Sequence, residues 1–425
     1  MKRRSFIKGL LGTGMATGGS LLFRVPLLSS AQAQIAAPPT LVVIFQRGGC
    51  DGINEVVPFG DPDYYTLRPT IGIPEPDPAD PTSALLLDDP LDVHDGFFGL
   101  HPGLAPLLPI YDAGNMAVLP TVQYPSSSHS HFDSQHFIET GEPVKDKDGW
   151  LNRHLQLINN GGQLRAVHFG SELSQALRGN VPVQSFSFID SFNLGLNGED
   201  EAALIDSVLP VYNDTPDPAT AYQALVHQYG QVLFGNLNVV SNIDTGSYVP
   251  ANGAVYPNGS YGRRLKETAQ LLKEGVGLEL ATIDIGGWDT HSSQGGGEAG
   301  GRQARRFQEL AGGIGALYTD LGSMMDNVVI LVMTEFGRTA KENGSRGTDH
   351  GDAASWFVVG NNVNGGIYGD WPGLGANDLA RGRYLRFTVD YRDIMGDILT
   401  GHLGHTQADL ATLLPNHGYS TLGLI

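Results

Sequence analysis

The chain has 425 residues, 41% of them hydrophobic, and a formal net charge of −19. That is ample material for a buried core, and a chain this acidic repels nucleic acid and anionic membrane surfaces unless positive charge is gathered locally. Cys50 is the only cysteine, which excludes an intrachain disulfide, a cysteine-built zinc site and thiolate-held iron–sulfur clusters.

The first 33 residues read as an export signal. Arg3 and Arg4 precede Phe6 and Lys8, a weakly apolar stretch rich in Gly, Ser and Thr follows, and Ala31-Gln32-Ala33 offers an A-x-A cleavage site. This is the twin-arginine pattern, a route that carries folded and often cofactor-loaded proteins. It places the mature chain in the periplasm or outside the cell. The stretch is too short and too polar for a transmembrane anchor, and no other segment is apolar enough for a stable membrane span. Cleavage removes five basic and no acidic residues, leaving 21 basic against 45 acidic.

The mature chain, 34–425, opens with "TLVVIFQRGGCDG", which predicts a buried strand running into a glycine turn. Residues 60–100 are rich in Pro and Asp and predict a long loop. "GLAPLLPIYDAG" predicts a short helix, "MAVLPTVQ" a second strand, and "SSSHSHFDSQHFIETG" a loop that turns helical. "LRAVHF" and "VQSFSFI" follow as further strands. Residues 190–260 are polar and less periodic apart from a helix near "ATAYQALVHQYGQVLF", and read as an insertion or cap. "YGRRLKETAQLLKEG" has clear amphipathic periodicity, "LELATIDI" is a strand, 301–325 is helical, and "VVILVMTEF" is the most apolar strand. "SWFVVG" adds a strand and "DYRDIMGDILTGHLG" a late helix. Strands that are apolar almost throughout and alternate with helices imply an α/β fold with a mainly parallel sheet covered on both faces. In such folds ligands gather beyond the carboxyl ends of the strands.

Four polar clusters lie where that rule looks for chemistry. "RGGCDG" brings Arg47 and Asp51 to the first strand's end, although an Asp in such a turn also serves as a turn-former. "SSSHSHFDSQ" places His129, Ser130 and His131 at a helix start, where backbone N–H groups favour anions and where a serine also serves as an N-cap. Ser130 and His131 are the candidate catalytic residues. "GGWDTH" supplies Asp289 and His291, whose D-x-H spacing puts a carboxylate and an imidazole on one side of an extended segment. "TEFGRT" and "GTDHGD" supply Glu335, Arg338, Asp349 and His350, with Gly347 and Gly351 allowing the bend that adjacent ligands need. Together the carboxylates and imidazoles suit a divalent metal, zinc first, with manganese or calcium as alternatives. A nucleophile elbow, a phosphate-binding P-loop and an H-E-x-x-H helix are all missing from the sequence.

At these motifs the chain resembles the bacterial family called domain of unknown function 1501, from about residue 40 to the C-terminus. "LVVIFQRGGCDGINEVVPFGDPDYYTLRP", "SHFDSQHFIETG", "GGWDTH", "TEFGRT" and "GTDHG" carry the resemblance. The family is grouped with the alkaline phosphatase-like superfamily, which implies a three-layer α/β/α sandwich around a mixed, mostly parallel sheet, with metal at the strand ends. On that resemblance Asp51, Asp349 and His350 are metal ligands, and Ser130 occupies the nucleophile's place. Asp289 and His291 look like the second-ion pair, although the superfamily's usual spacing is D-x-x-x-H. His402, His405 and His417 are candidates for its last histidine, and Arg47 and Arg338 for contacts to substrate oxygens. The expectation is an exported metal-dependent hydrolase of phosphate or sulfate esters acting on a small-molecule or glycan substrate. The alternative is a non-catalytic, metal-binding envelope scaffold or glycan-binding protein.

Overall fold

The computed structural model describes residues 38–425 apart from 90–92, 126, 143, 145, 146 and 214–219. The export signal lies outside the described residues. Nine strands form the main sheet: β1 (Thr40–Arg47), β2 (Met116–Gln123), β3 (Ala166–Phe169), β4 (Gln184–Ser185), β5 (Leu280–Gly286), β6 (Val328–Met333), β7 (Ala354–Val359), β8 (Gly366–Ile367) and β9 (Val389–Asp390). Their spatial order is β8-β2-β7-β6-β1-β5-β3-β4, and β9 also pairs with β2. β1 runs parallel to both β5 and β6, while β7 runs antiparallel to its neighbours β2 and β6. A small second sheet joins Val56–Val57, Leu85–Leu86 and Gly99–Leu100.

The period-2 geometry of a strand sorts its apolar residues to two faces. Val42 and Ile44 of β1 join one core, with Ala281 and Ile283 of β5. Onto it pack Tyr261 and Leu265 of α5 (Ser260–Glu274) and Phe307, Leu310 and Ile314 of α6 (Arg302–Leu321). Leu41, Val43 and Phe45 face the opposite core. There they meet Ile138 of α1 (His131–Thr140), Trp150 and Leu151 of α2 (Trp150–Leu157), and Ile394 and Ile398 of α7 (Tyr391–Gly401). This is the α/β/α sandwich with a mixed, mostly parallel sheet.

Two readings of the sequence need correction. "VQSFSFI" pairs only through the two residues of β4. The 190–260 region holds an unforeseen helix, α3 (Gly198–Asn213), packed against α4 (Ala221–Val240), the helix expected near "ATAYQALVHQYGQVLF". Tyr212 stacks on Phe234 at a centroid distance of 5.5 Å. The pair leaves Tyr222, Leu225, Val226 and Tyr229 exposed, so no clean polar–apolar alternation marks these helices.

β7 settles the location of the site. Parallel strands β1, β2, β5 and β6 end at one edge of the sheet, and the lone antiparallel strand starts there. Residues after four strands and before a fifth therefore meet. Just beneath, Glu55 is fully buried and bridges the sheet, accepting from Gln46 Nε2 at 2.7 Å and from the Ser355 hydroxyl. Burial pushes its carboxyl up to about 7, against the lowering effect of those two bonds. Its folded value thus exceeds the unfolded one, so its contribution to stability is present below about pH 4.5 and is lost as pH rises through about 7. Relative to Glu55→Gln, the native protein should lose about 2.5 kcal/mol between pH 5 and pH 8. Urea unfolding at both pH values measures this, and a difference independent of pH would contradict it.

Candidate metal centre

The loops that reach this edge approach one another very closely. A Cβ on Gly48 would sit 2.8 Å from the backbone nitrogen of Asp289, and Gly48 also has a φ of +125°. A Cβ on Gly347 would strike the backbone of His291. Glycine at these points lets the β1, β5 and pre-β7 segments touch.

Glu335, immediately beyond Thr334 at the end of β6, is fully buried and ties three segments together. Its Oε1 accepts from Gly48 N at 2.8 Å, from Gln135 Nε2 at 2.9 Å and from His131 Nδ1 at 2.8 Å. Burial opposes its charge, but the bonds from His131 and Gln135 outweigh that and hold it below the usual carboxylate range. Arg338 is equally buried. It donates to the carbonyls of Gly49, Gly48, Thr348 and Trp288 and, at 2.7 Å, to Asp289 Oδ1. It is a strut between loops, its guanidinium committed to protein partners.

Three imidazoles converge on Asp289. Its Oδ1 lies 3.0 Å from His291 Nε2, 3.2 Å from His350 Nε2 and 3.7 Å from His131 Nε2. His131, Asp289 and His350 have donor atoms within 4.8 Å of one another, the one such group found among the described residues. His291 joins through its Nε2, 3.1 Å from that of His350. Every ring has its other nitrogen committed: His131 Nδ1 to Glu335, His350 Nδ1 to the carbonyl of His129 at 2.8 Å, and His291 Nδ1 to Asp349 Oδ1 at 3.2 Å. An oxygen acceptor requires the proton on Nδ1, so in each neutral ring the Nε2 lone pair points inward. Lone pairs of two rings and an ionised oxygen at 3.0–3.2 Å repel unless a proton or a cation lies among them. Burial disfavours the charge of Asp289, but Arg338 outweighs it and keeps the carboxyl below its ordinary range. Side chains of Asp289 and His291 are nearly half exposed, so solvent reaches the cluster.

The other expected residues fall elsewhere. Asp51 was expected to ligate metal. It is instead fully buried and spent on Arg68, Oδ2 to Nη1 at 2.6 Å and Oδ1 to Nη2 at 2.8 Å, with Gln294 donating to Oδ2 at 2.6 Å. Asp349 lies one layer out, holding His291 while Arg383 binds its Oδ2 at 2.8 Å. Arg47, expected to bind substrate, grips Glu139 at 2.8 and 2.9 Å and also meets Asp284 at 3.0 Å. His402, His405 and His417 bond to the Thr40 carbonyl, His154 and Asp393 respectively. His131 instead has both nitrogens in the cluster, Nδ1 on Glu335 and Nε2 facing Asp289. Ser130 is the exposed N-cap residue of α1, and its hydroxyl makes no cap hydrogen bond.

Sequence reasoning missed Asp352. It accepts from His129 Nε2 at 2.7 Å and from the Ser127 hydroxyl at 2.9 Å. Burial raises it, but His129 and Ser127 hold it below the ordinary range. Its position two residues after His350 was the available signal.

Residues 254–413 match the family model described as protein of unknown function (DUF1501), which bears out the resemblance over that stretch. No curated protein matches the sequence. A sulfatase from Pseudoalteromonas sp. is similar in structure at 12% identity, with 92% of this chain and 74% of that chain covered and a TM-score of 0.38. A protein solved in complex with k-i-k-neocarrahexaose has 9% identity, coverage of 88% and 73%, and a TM-score of 0.37. The lipoteichoic acid synthase from Listeria monocytogenes has 8% identity, coverage of 93% and 77%, and a TM-score of 0.30.

Replacing Arg68 with Met strands the Asp51 carboxylate in the interior. Stability should fall by about 3–5 kcal/mol in urea unfolding, and Asp51→Asn in the same chain should restore part of it. A loss below about 1 kcal/mol would place the pair among weak surface-type bridges.

Proposed function

We propose that the protein is an exported, metal-dependent hydrolase of phosphate or sulfate esters with Ser130 as nucleophile. The observation that carries the reading is the convergence of three Nε2 lone pairs on Asp289, each ring held by an Nδ1 hydrogen bond. That is how metal-binding histidines are oriented by their outer partners. His131, Asp289, His291 and His350 would hold one divalent ion. Three imidazoles and one carboxylate suit zinc better than calcium, which prefers six to eight oxygen ligands. Bound there, such an ion supplies positive charge to the ester oxygens and the departing oxygen.

The chain's own groups handle position and protons. Ser130 sits at the N-terminus of α1, directly before the ligand His131. The exposed N–H groups and positive dipole end of a helix favour the anionic ester there. His131 was expected as a catalytic residue, but both of its nitrogens are occupied. His129 takes the proton-handling role instead. With Nε2 donating to Asp352, its Nδ1 is an acceptor. In the proposed reaction Ser130 Oγ bonds to phosphorus or sulfur and passes its proton to His129. The bond to the alcohol oxygen breaks, and that oxygen takes the proton. Water then cleaves the seryl ester, releasing phosphate or sulfate and restoring the hydroxyl.

One observation favours a non-catalytic envelope scaffold: Arg47 and Arg338, the arginines at the strand ends, are both committed to protein partners. Turnover separates the two. Protein exported by its own route should contain about one equivalent of zinc and hydrolyse an aryl phosphate or an aryl sulfate. His350→Ala should lose both metal and activity. Ser130→Ala should keep the metal and lose activity by on the order of a thousandfold or more. Undiminished activity in Ser130→Ala would remove the nucleophile assignment, and bound metal with no turnover on either ester would favour the scaffold.

A further inference from the structure

Beside the cluster lies a cavity of about 550 Å³, within the range of small-molecule sites, about 300–1,000 Å³. Two of its walls belong to segments that also build the metal centre. Tyr124 and Ser127 lie on the loop leading to His131, and Asp352 follows His350 by two residues. The third wall comes from residues 380–387, "ARGRYLRF". That stretch carries three arginines in eight residues, two of which line the cavity, in a chain where acidic residues outnumber basic ones by 45 to 26. Here the local charge opposes the global one.

These arginines are unevenly neutralised. Arg383 is paired with Asp349 at 2.8 Å. Arg381 is 67% exposed, lies over the Tyr384 ring at 4.6 Å, and comes no closer to Asp352 than 3.5 Å. Arg386 donates to the carbonyls of Asp378 and Leu379, and among the described residues no carboxylate pairs with it. Thus the cavity presents guanidinium donors with charge to spare, the Asp352 carboxylate as an acceptor, and the aromatic side chains of Tyr124 and Phe387.

We infer that this cavity is a subsite for an acidic sugar, a hydroxylated ring that bears a carboxylate or sulfate besides the ester to be cleaved. A lone inorganic anion would leave most of the volume unfilled. An apolar ring would desolvate the Arg386 and Arg381 guanidinium groups without giving them an acceptor, which costs free energy. Sugar hydroxyls donate to Asp352, the ring packs on Phe387, and the added anion meets Arg386 and Arg381 through charge-assisted hydrogen bonds. Calling the occupant a substrate rests on the hydrolase reading; its binding does not.

The test is direct binding to the metal-loaded mature protein by calorimetry, with glucuronic acid, galactose 6-sulfate and neutral galactose as probes. At least one acidic sugar should bind about tenfold more tightly than galactose. Arg386→Ala should erase that preference while the protein stays folded and bound metal is unchanged, and Arg386→Lys should keep part of it. Equal binding of all three sugars, no binding of any, or an unaltered preference in Arg386→Ala would overturn the inference. Acid-selective binding without turnover on aryl esters would instead sink the hydrolase reading and leave the subsite standing.

Discussion

Three imidazoles each surrender a proton-bearing nitrogen to a fixed oxygen, and this constraint organises the whole edge of the sheet. Glu335, the His129 carbonyl and Asp349 are the three acceptors. Glu335 and Asp349 stand at the two ends of the β6–β7 connection and His129 precedes α1, so ring orientation depends on how these segments are placed. Buried arginines fix the loops in turn. Arg338 stitches the β1 and β5 turns to the segment before β7. Arg68 ties Asp51 to the carbonyls of Thr339 and Ala340. Isolated buried charges would be costly, and each is offset by a partner and by several carbonyls.

The reversed strand β7 makes this convergence topologically cheap. Had it run with its neighbours, the Asp349-His350 pair would have opened at the far edge of the sheet. Antiparallel pairing with β2 and β6 delivers that pair, and Asp352, beside the loops that leave β1, β2, β5 and β6. The imidazole cluster and the neighbouring cavity thus share their framework. His129 stands between them, its carbonyl orienting His350 and its ring held by Asp352.

Much of this was legible in the sequence. β1, β2, β5, β6 and β7 are apolar runs, and Asp289, His291 and His350 stand in glycine-rich turns beside them. Residue type alone does not reveal what a carboxylate touches. Asp51 and Asp289 both follow strands and both meet a buried guanidinium, but Arg68 and Gln294 take up both oxygens of the first, while the second stays half exposed, its Oδ1 shared between Arg338 and the imidazoles. The same applies to His131, which reads as a catalytic neighbour of Ser130 until the fold turns its Nε2 toward Asp289. The helix α3 was obscured for a different reason, since exposed apolar side chains such as Leu204 and Val211 disrupt the periodicity by which an amphipathic helix is recognised, whereas α4 falls where a helix was expected.

The most direct measurement of the central claim is an anomalous difference map, collected at the zinc edge, from crystals of the purified protein. One strong peak is expected among the Nε2 atoms of His131, His291 and His350 and the carboxylate of Asp289, at zinc–ligand distances of about 2.0–2.2 Å. A peak on Asp51, or imidazoles bonded to one another through protons with no metal density between them, would contradict it.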